Sequence, residues 1–371
     1  MTKKRIALLY GGRSGEHEVS CCSAASVFEH LNRDKYDILP VGIDKQGHWH
    51  PAPAAVPVED PSFGKIMPLV FDGEWLISPA FQGGTLTITE KNSSKSFTVD
   101  CVFPVLHGTN CEDGRLQGLL ELCGVPYVGS GVTGSAIGMD KDYAKRLLEH
   151  SELPVVPWIT VTRREWENEP DFILQDINLE FGFPCFVKPA NSGSSVGIYK
   201  IKDKSELKDS IEKAFAYDSK VLFEKAINCR EIEFAILGND DLICSQPGEI
   251  VPSHEFYSYE AKYIDSDGAK LFVPAPLDDE TVKAMQSDAL SAYKVLGLSG
   301  LCRIDFFIDK NDDTWYINEV NTFPGFTSIS MYPRLMQHSA IPYNDLLDRL
   351  VQLSFDMYSR KSSLVTDFTR G

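Results

Sequence analysis

The chain has 371 residues, 43% hydrophobic and 24% charged, an ordinary soluble globular composition whose length favours two or three domains over one. Its formal net charge of -17 disfavours nucleic-acid binding, which rests on Lys and Arg neutralising phosphates, and no apolar run is long enough to span a bilayer. Nine scattered cysteines without a C-x-x-C pair argue against a disulfide framework or a zinc site, and for small core residues in a reducing, cytoplasmic setting.

Three blocks follow in order, at 1–129, 130–222 and 223–371. The first opens with "RIALLYGG", a short buried strand ending in Gly-Gly. "EVSCCSAASVFEHL" has helical spacing at Val19, Ser23 or Ala24, Val27 and Leu31, and "YDILPVGI" reads as a second strand. A β-loop-α-β opening predicts an α/β fold with a parallel, doubly wound sheet. After a Pro-rich stretch, "TLTITE" and "KSFTVDCVF" read as strands around a polar turn, and "CVFPVLHG" as a core strand ending at His107. "DGRLQGLLELCG" is a helix with Gly124 as its stop. In the second block, "DKDYAKRLLEHS" and "KSELKDSIEKAFAYD" are helices, and "FPCFVKPA", "IYKI" and "KVLFEKAI" are strands. The third block contains "EIEFAILG", "LICSQPGEIV", a long helix "ETVKAMQSDALSAYKVLG", the strands "GLCRIDFFID" and "TWYINEVN", and a terminal helix "NDLLDRLVQLSF".

The two late strands carry the first chemical signal. The linker "KNDDT" is turn-like, so they should form an antiparallel hairpin. Strand alternation puts Arg303 and Asp305 on one face, with Cys302, Ile304 and Phe306 on the other. It likewise puts Ile317, Glu319 and Asn321 on one face and Val320 opposite. If the polar faces coincide, Asp305, Glu319 and Asn321 converge beside Arg303. Two carboxylates about 4 Å apart repel by roughly 4 kcal/mol at an effective dielectric of about 20, so they need a proton or a cation. Two carboxylates and an amide oxygen are hard ligands suited to Mg²⁺ with room for phosphate oxygens. An ion pair with Arg303 on a plain hairpin face is the alternative.

"VKPANSGSSVGI" is a strand bearing Lys188, a Gly/Ser loop with Ser194 and Ser195, and a second strand. It is not a Walker A loop, which leads into a helix, but its backbone N–H groups and hydroxyls suit phosphates; a polar hairpin turn is the plain alternative. "LYGGRSGEHEVS" lacks the dinucleotide G-x-G-x-x-G, which weakens a dehydrogenase reading. Glu16 sits just ahead of a helix, where it either complements the helix dipole or meets a substrate ammonium group. His107 follows a core strand, at the strand end where this fold class binds ligands. "HEFYSYEAKYIDSDGAKLF" reads as a long loop, either a solvated connection or a lid bearing Lys262 and Tyr263.

Together and in order, "GGRSGEHEVS", "LHGTNCEDGRLQGLLELCGVPYVGSGV", "GMDKDYAK", "VKPANSGSSVG", "LFEKAINCREIEFAI", "YEAKY", "CRIDFF" and "NEVNTFPGFTSIS" make the chain resemble the D-alanine–D-alanine ligase family of the ATP-grasp superfamily. The resemblance spans nearly the whole chain. It implies a three-domain ATP-grasp architecture with a Rossmann-like N-terminal domain, ATP between the second and third domains, and a homodimer. It implies that ATP phosphorylates one D-alanine and that the amine of a second attacks the acyl phosphate.

By the same resemblance, Asp305, Glu319 and Asn321 match ligands of two Mg²⁺ (or Mn²⁺) ions. Lys141, Lys188 and Lys262 match phosphate-contacting lysines. Glu224, Lys225, Ala226 and Ile227 match the strand against adenine, Glu231 the ribose contact and Phe256 an aromatic wall. Glu16, with His107 nearby, matches the receptor of the first ammonium group. Arg303 and the Gly325 N–H match an oxyanion hole, and Ser330 a contact to the second carboxylate. Ser194 and Tyr263 match a hydrogen-bonded group joining loop, lid and Glu16. Asn191 and Ser192 at the loop tip depart from the charged residues of some relatives, and residues 48–100 are a longer insertion without an assigned catalytic role. A D-alanine–D-lactate ligase, another ATP-grasp carboxylate–amine ligase and a non-catalytic binding module are the competing readings.

Overall fold

The computed structural model describes residues 2–79, 84–91, 93–252, 269–327 and 329–365. Strand Lys4–Gly11 lies at the centre of the N-terminal sheet, parallel to both Tyr36–Ile43 and Cys101–Pro104, with Trp49–Pro51 added antiparallel at one edge. All but the first two residues of Lys4–Gly11 are buried, as a strand covered on both faces requires. Helix His17–His30 packs on this sheet through small residues, among them Ser20, Ser23, Ala24 and Ala25, which permit close approach. The two strands expected in the insertion are Leu86–Glu90 and Ser96–Val99; a third, Trp75–Pro79, and a small hairpin at Val58–Asp60 and Gly64–Ile66 join them. Helix Arg115–Cys123 ends at Gly124, whose φ of 63° is the left-handed stop expected of that glycine.

The central sheet is antiparallel, in the order Trp158–Thr162, Lys220–Lys225, Cys185–Pro189, Tyr199–Ile201. Trp158–Thr162 and the helices Arg163–Asn168 and Pro170–Glu180 occupy a stretch to which the sequence assigned no elements. The C-terminal sheet centres on Cys229–Gly238, Gly300–Asp309 and Trp315–Asn321, with Gly248–Pro252 and Ala269–Phe272 beyond. The short helix Met331–His338 was also not anticipated, and the terminal helix runs over Tyr343–Ser362.

The cores divide unevenly. One cluster, from Val161 to Phe223, lies wholly within the central unit. Another joins Ile6, Leu8 and Phe103 of the N-terminal sheet to Phe326, Tyr332, Leu346 and Leu350 of the C-terminal part. Ala144 and Leu148 of helix Lys141–His150 pack into the C-terminal cluster with Phe306 and Ile317. All nine cysteines are free thiols, six of them buried, consistent with their reading as core residues.

Candidate active site

The hairpin expected at the end of the chain is present, and its register does more than alternation predicts. Asp305 pairs directly with Glu319 across one strand boundary and with Glu233 across the other. Arg303 pairs with Asn321 one step along. Three carboxylates therefore stand in a row across three strands that neighbour at about 4.8 Å. Arg303 answers part of that charge. Its Nε and a terminal nitrogen grip the two Asp305 oxygens at 2.7 Å each, and Nε also lies 3.0 Å from Glu233. Burial works against the charged guanidinium, but Asp305 and Glu233 overrule it and hold its pKa well above the usual value. The Asn321 amide nitrogen donates to Asp305 Oδ2 at 2.9 Å, which turns the amide oxygen the other way. The Arg303–Asp305 ion pair of the plain reading is therefore present, beside the further carboxylates of Glu233 and Glu319.

The expected face of Ile317 is wrong. The register shifts between Asp305 and Phe306, leaving Asn318 as an extra residue on the partner strand. Ile317 consequently points with Val320 into the buried C-terminal core, away from Glu319 and Asn321. The same bulge brings Asn318 to the cleft, where its Oδ1 lies 3.5 Å from Lys188 Nζ.

Lys188 enters from the central sheet, on strand Cys185–Pro189. Its ammonium lies 2.6 Å from one Glu224 oxygen, and Lys145 lies 3.2 Å from the other. All three side chains are buried. Burial would raise the Glu224 pKa, but the two lysines hold it below the ordinary carboxylate value. Burial pushes Lys145 down to about 8, with Glu224 opposing. The trio carries two cationic groups for one carboxylate, a positive surplus at the cleft. Lys145 escaped the sequence reading, although it lies one helical turn from Lys141 and so on the same side of helix Lys141–His150.

Asp140 caps that helix by accepting the N–H groups of Asp142 and Tyr143, which fixes Lys141 at its first position. Lys141 Nζ donates to the Ser192 carbonyl at 2.6 Å and lies 3.5 Å from Glu319. It therefore ties the Gly/Ser loop to the carboxylate row. Within the loop, Ser194 and Ser195 have φ of 48° and 60°. Consecutive non-glycine residues in the left-handed region are uncommon and characteristic of functional loops.

Ser194 Oγ donates to Glu16 Oε1, so the loop tip reaches the N-terminal domain. Glu16 stands ahead of helix His17–His30, as its position in the sequence implies, but makes no side-chain cap. A Cβ on Gly108 would lie 2.6 Å from Glu16 Oε2, so the carboxylate occupies space that only glycine leaves there.

His107 is buried near Glu16, with Nε2 3.2 Å from Ser23 Oγ and Nδ1 3.2 Å from the Phe323 carbonyl. Burial depresses its pKa, against the pull of Glu16 and that carbonyl, which favours the neutral ring. Glu112, quoted in "NCEDGRLQG" but given no role, accepts the N–H groups of Gly108 at 2.6 Å and Phe323 at 3.0 Å. Burial first, and Glu16 second, push its carboxyl up to about 8. These contacts dock the turn after the carboxylate strand on the N-terminal domain. In that turn Gly325 lies against Ser330, where an added Cβ would be 2.9 Å from Ser330 Oγ. The Ser330 hydroxyl also bonds the Thr327 N–H at 3.0 Å and the Thr327 hydroxyl at 2.8 Å.

Lys225, Ala226 and Ile227 lead from the central sheet into strand Cys229–Gly238, which carries Glu231. The Lys225 N–H donates to the Pro157 carbonyl at 3.1 Å, anchoring the crossing. Ser195 belongs to the loop already described. Phe256, Lys262 and Tyr263 lie outside the described residues. No helix among the described residues is long and apolar enough to cross a membrane.

Two family models match the chain: "D-ala D-ala ligase N-terminus" over residues 5–130 and "D-ala D-ala ligase C-terminus" over residues 147–352. The chain is 47% identical over 364 residues to a D-alanine–D-alanine ligase of Caldicellulosiruptor bescii, covering 98% of each. It is 45% identical over 373 residues to D-alanine–D-alanine ligase A of Bradyrhizobium diazoefficiens, again covering 98% of each. Among solved structures, the D-alanine–D-alanine ligase of Coxiella burnetii matches with TM-score 0.78 and 32% identity, over 98% of this chain and 97% of that one. The VanG D-Ala:D-Ser ligase of Enterococcus faecalis matches with TM-score 0.80 and 36% identity, over 95% of this chain and 100% of that one.

Proposed function

The chain belongs to the D-alanine–D-alanine ligase family, and we propose that the cleft between its three parts assigns each step of that family's reaction to the residues described above. It joins two D-alanines at the expense of ATP, giving D-alanyl-D-alanine, ADP and phosphate for peptidoglycan precursor synthesis.

The single observation that carries the assignment is the Ser194–Glu16 hydrogen bond. It places a loop suited to phosphates against a carboxylate suited to an amino acid's ammonium group. Glu16 receives the first D-alanine, with neutral His107 beside it. Lys141, Lys188 and Lys262 offset phosphate charge, while the N–H groups and hydroxyls of Ser194 and Ser195 orient the transferred group. Adenosine lies along Glu224, Lys225, Ala226, Ile227 and Glu231, with Phe256 as a wall.

The donor set of Asp305, Glu319 and Asn321 fits two Mg²⁺ or Mn²⁺ ions, because it offers hard oxygens and because Asp305 already occupies the Asn321 nitrogen. Bound there, such ions supply charge neutralisation of the phosphate oxygens. The first D-alanine's carboxylate oxygen takes the terminal phosphoryl group and ADP leaves. The second D-alanine's amine, as the free base, attacks the acyl carbon; the acyl C–O bond then breaks, its electron pair leaves on phosphate, and the surplus proton of the new amide passes to that phosphate or to water. Arg303 and the Gly325 N–H face the oxyanion that develops between those events. Ser330 meets the second carboxylate. Tyr263 is assigned to keeping water from the acyl phosphate.

The division at 1–129, 130–222 and 223–371, a homodimer and a cytoplasmic location belong to the same reading. Steady-state ADP release with D-alanine alone, D-alanine plus D-lactate, D-alanine plus D-serine, and L-alanine tests it. D-alanine alone should support turnover; its failure to do so would overturn the reading, and a preference for D-lactate would move the chain to the depsipeptide-forming relatives.

A further inference from the structure

Asp44, His48 and His50 lie outside the cleft, where strand Tyr36–Ile43 turns into strand Trp49–Pro51. Asp44 organises this turn. Its N–H donates to the His48 carbonyl and its own carbonyl accepts the Gly47 N–H, both at 3.0 Å. Its Oδ1 accepts the N–H groups of Gln46 and His48, each at 2.9 Å. The other oxygen, Oδ2, faces two imidazoles, with His48 Nδ1 at 3.0 Å and His50 Nε2 at 3.1 Å. One donor atom from each of the three residues falls within 4.8 Å of the others. Asp44 and His50 are buried, while the His48 side chain is 72% exposed, so the cluster opens to solvent on one side.

Zinc binds imidazole nitrogen at 2.0–2.1 Å, and tetrahedral geometry then separates neighbouring ligand atoms by about 3.3 Å. The oxygen–nitrogen contacts here are already near that separation. Two nitrogens to one oxygen is a borderline donor set that favours zinc-class ions over Mg²⁺, whose preference is for oxygen. The absence of C-x-x-C pairs excludes only cysteine-rich zinc sites and does not bear on this one.

We propose that Asp44, His48 and His50 bind one divalent transition-metal ion of the zinc class, with water completing its coordination. On binding, the ion sits among Asp44 Oδ2, His48 Nδ1 and His50 Nε2, which now face one another directly. The buried Nδ1 of His50 has no hydrogen-bond partner. The outer acceptor that normally strengthens a metal-bound imidazole is therefore missing, and the site is weaker than a closed structural zinc site. The turn also leans on the substrate-binding end of the fold. Lys45 lies 2.6 Å from Glu18, and the Ile43 carbonyl accepts the Gly12 N–H at 2.7 Å, both beside the start of the helix that follows Glu16.

The full chain, held in excess Mg²⁺ so that the cleft is saturated, is titrated with Co²⁺ alone, and the visible ligand-field bands are followed. One equivalent should develop bands that Zn²⁺ displaces, and His48→Ala should weaken binding by more than about 100-fold, beyond the roughly 10- to 100-fold effect of losing an outer-sphere partner. His48 is exposed, so this variant keeps its core intact. Absence of a bound equivalent in the unaltered chain, or bands indifferent to His48→Ala, would overturn the proposal.

Discussion

Two hairpins meet where Lys188 of one approaches Asn318 of the other, and they present opposite chemistry. The central one, Cys185–Pro189 and Tyr199–Ile201, carries Lys188 on its strand and its other candidate groups, Ser194 and Ser195, in the connecting loop. The C-terminal one, Gly300–Asp309 and Trp315–Asn321, places them within the strands, as side chains set by register. The loop depends on conformation, with Ser194 and Ser195 both at positive φ. The strands depend on identity and register, because each carboxylate is placed by the residue opposite it.

The comparison breaks first on the strand side. Glu319→Gln keeps shape while removing charge from the carboxylate row, and ligase turnover should fall by at least about 10²-fold, the scale of losing one electrostatic contact in a transition state. Circular dichroism should show the fold unchanged, and near-native turnover at saturating Mg²⁺ would refute the assignment.

On the loop side the effect should be smaller and should appear in substrate use. Ser194→Ala removes a hydrogen bond to a carboxylate, a contact of roughly 1.5–3 kcal/mol, so kcat/KM for D-alanine should drop roughly 10- to 100-fold. An unchanged value would separate the loop from Glu16.

The lysines beneath the loop give a pH signature. Burial sets the Lys145 pKa at about 8, so the ammonium is charged below that pH and neutral above it. Its loss cancels the positive surplus beside Lys188 and Glu224. KM for ATP should therefore rise by up to about 10-fold as pH passes through about 8, a tenfold change being about 1.4 kcal/mol. Lys145→Met should abolish the step; a step retained in that variant would assign it to another group. Smallest of all, Asn318→Ala removes a contact to Lys188 at the 3.5 Å limit of hydrogen bonding, worth less than about 1 kcal/mol. Turnover should change by less than about 5-fold, and a larger loss would give the bulge a role beyond support.

Particular residues show where sequence reasoning reached and where it stopped. Asp305, Glu319 and Asn321 were legible because they lie on two strands joined by a short turn, and alternation orders their faces. Ile317 was misplaced because one extra residue shifts that alternation, and periodicity carries no mark of a bulge. Glu233 was missed because its strand lies some 70 residues earlier and becomes a neighbour only through sheet order. The Glu16–Ser194 meeting joins different domains, so only the family resemblance brought those residues together beforehand. The helices Arg163–Asn168 and Pro170–Glu180 passed unread, although the first begins with a capping box at Thr162 and Glu165 that the sequence does display.

The division of cores described earlier has a consequence for cooperativity. The helix that follows Glu16 (through Ala24 and Val27) and the strands of Glu233 (through Ala235) and Asp305 (through Leu301) contribute to one apolar cluster, so they should unfold and refold as one unit. The Gly/Ser loop stands on a unit whose core is its own. A sub-global opening of the central unit would therefore withdraw Ser194 and Lys188 together, while Glu16, Glu233 and Asp305 kept their spacing. The hydrogen bond from Ser194 to Glu16 is in this sense a latch between two folding units, closed when the smaller is seated on the larger.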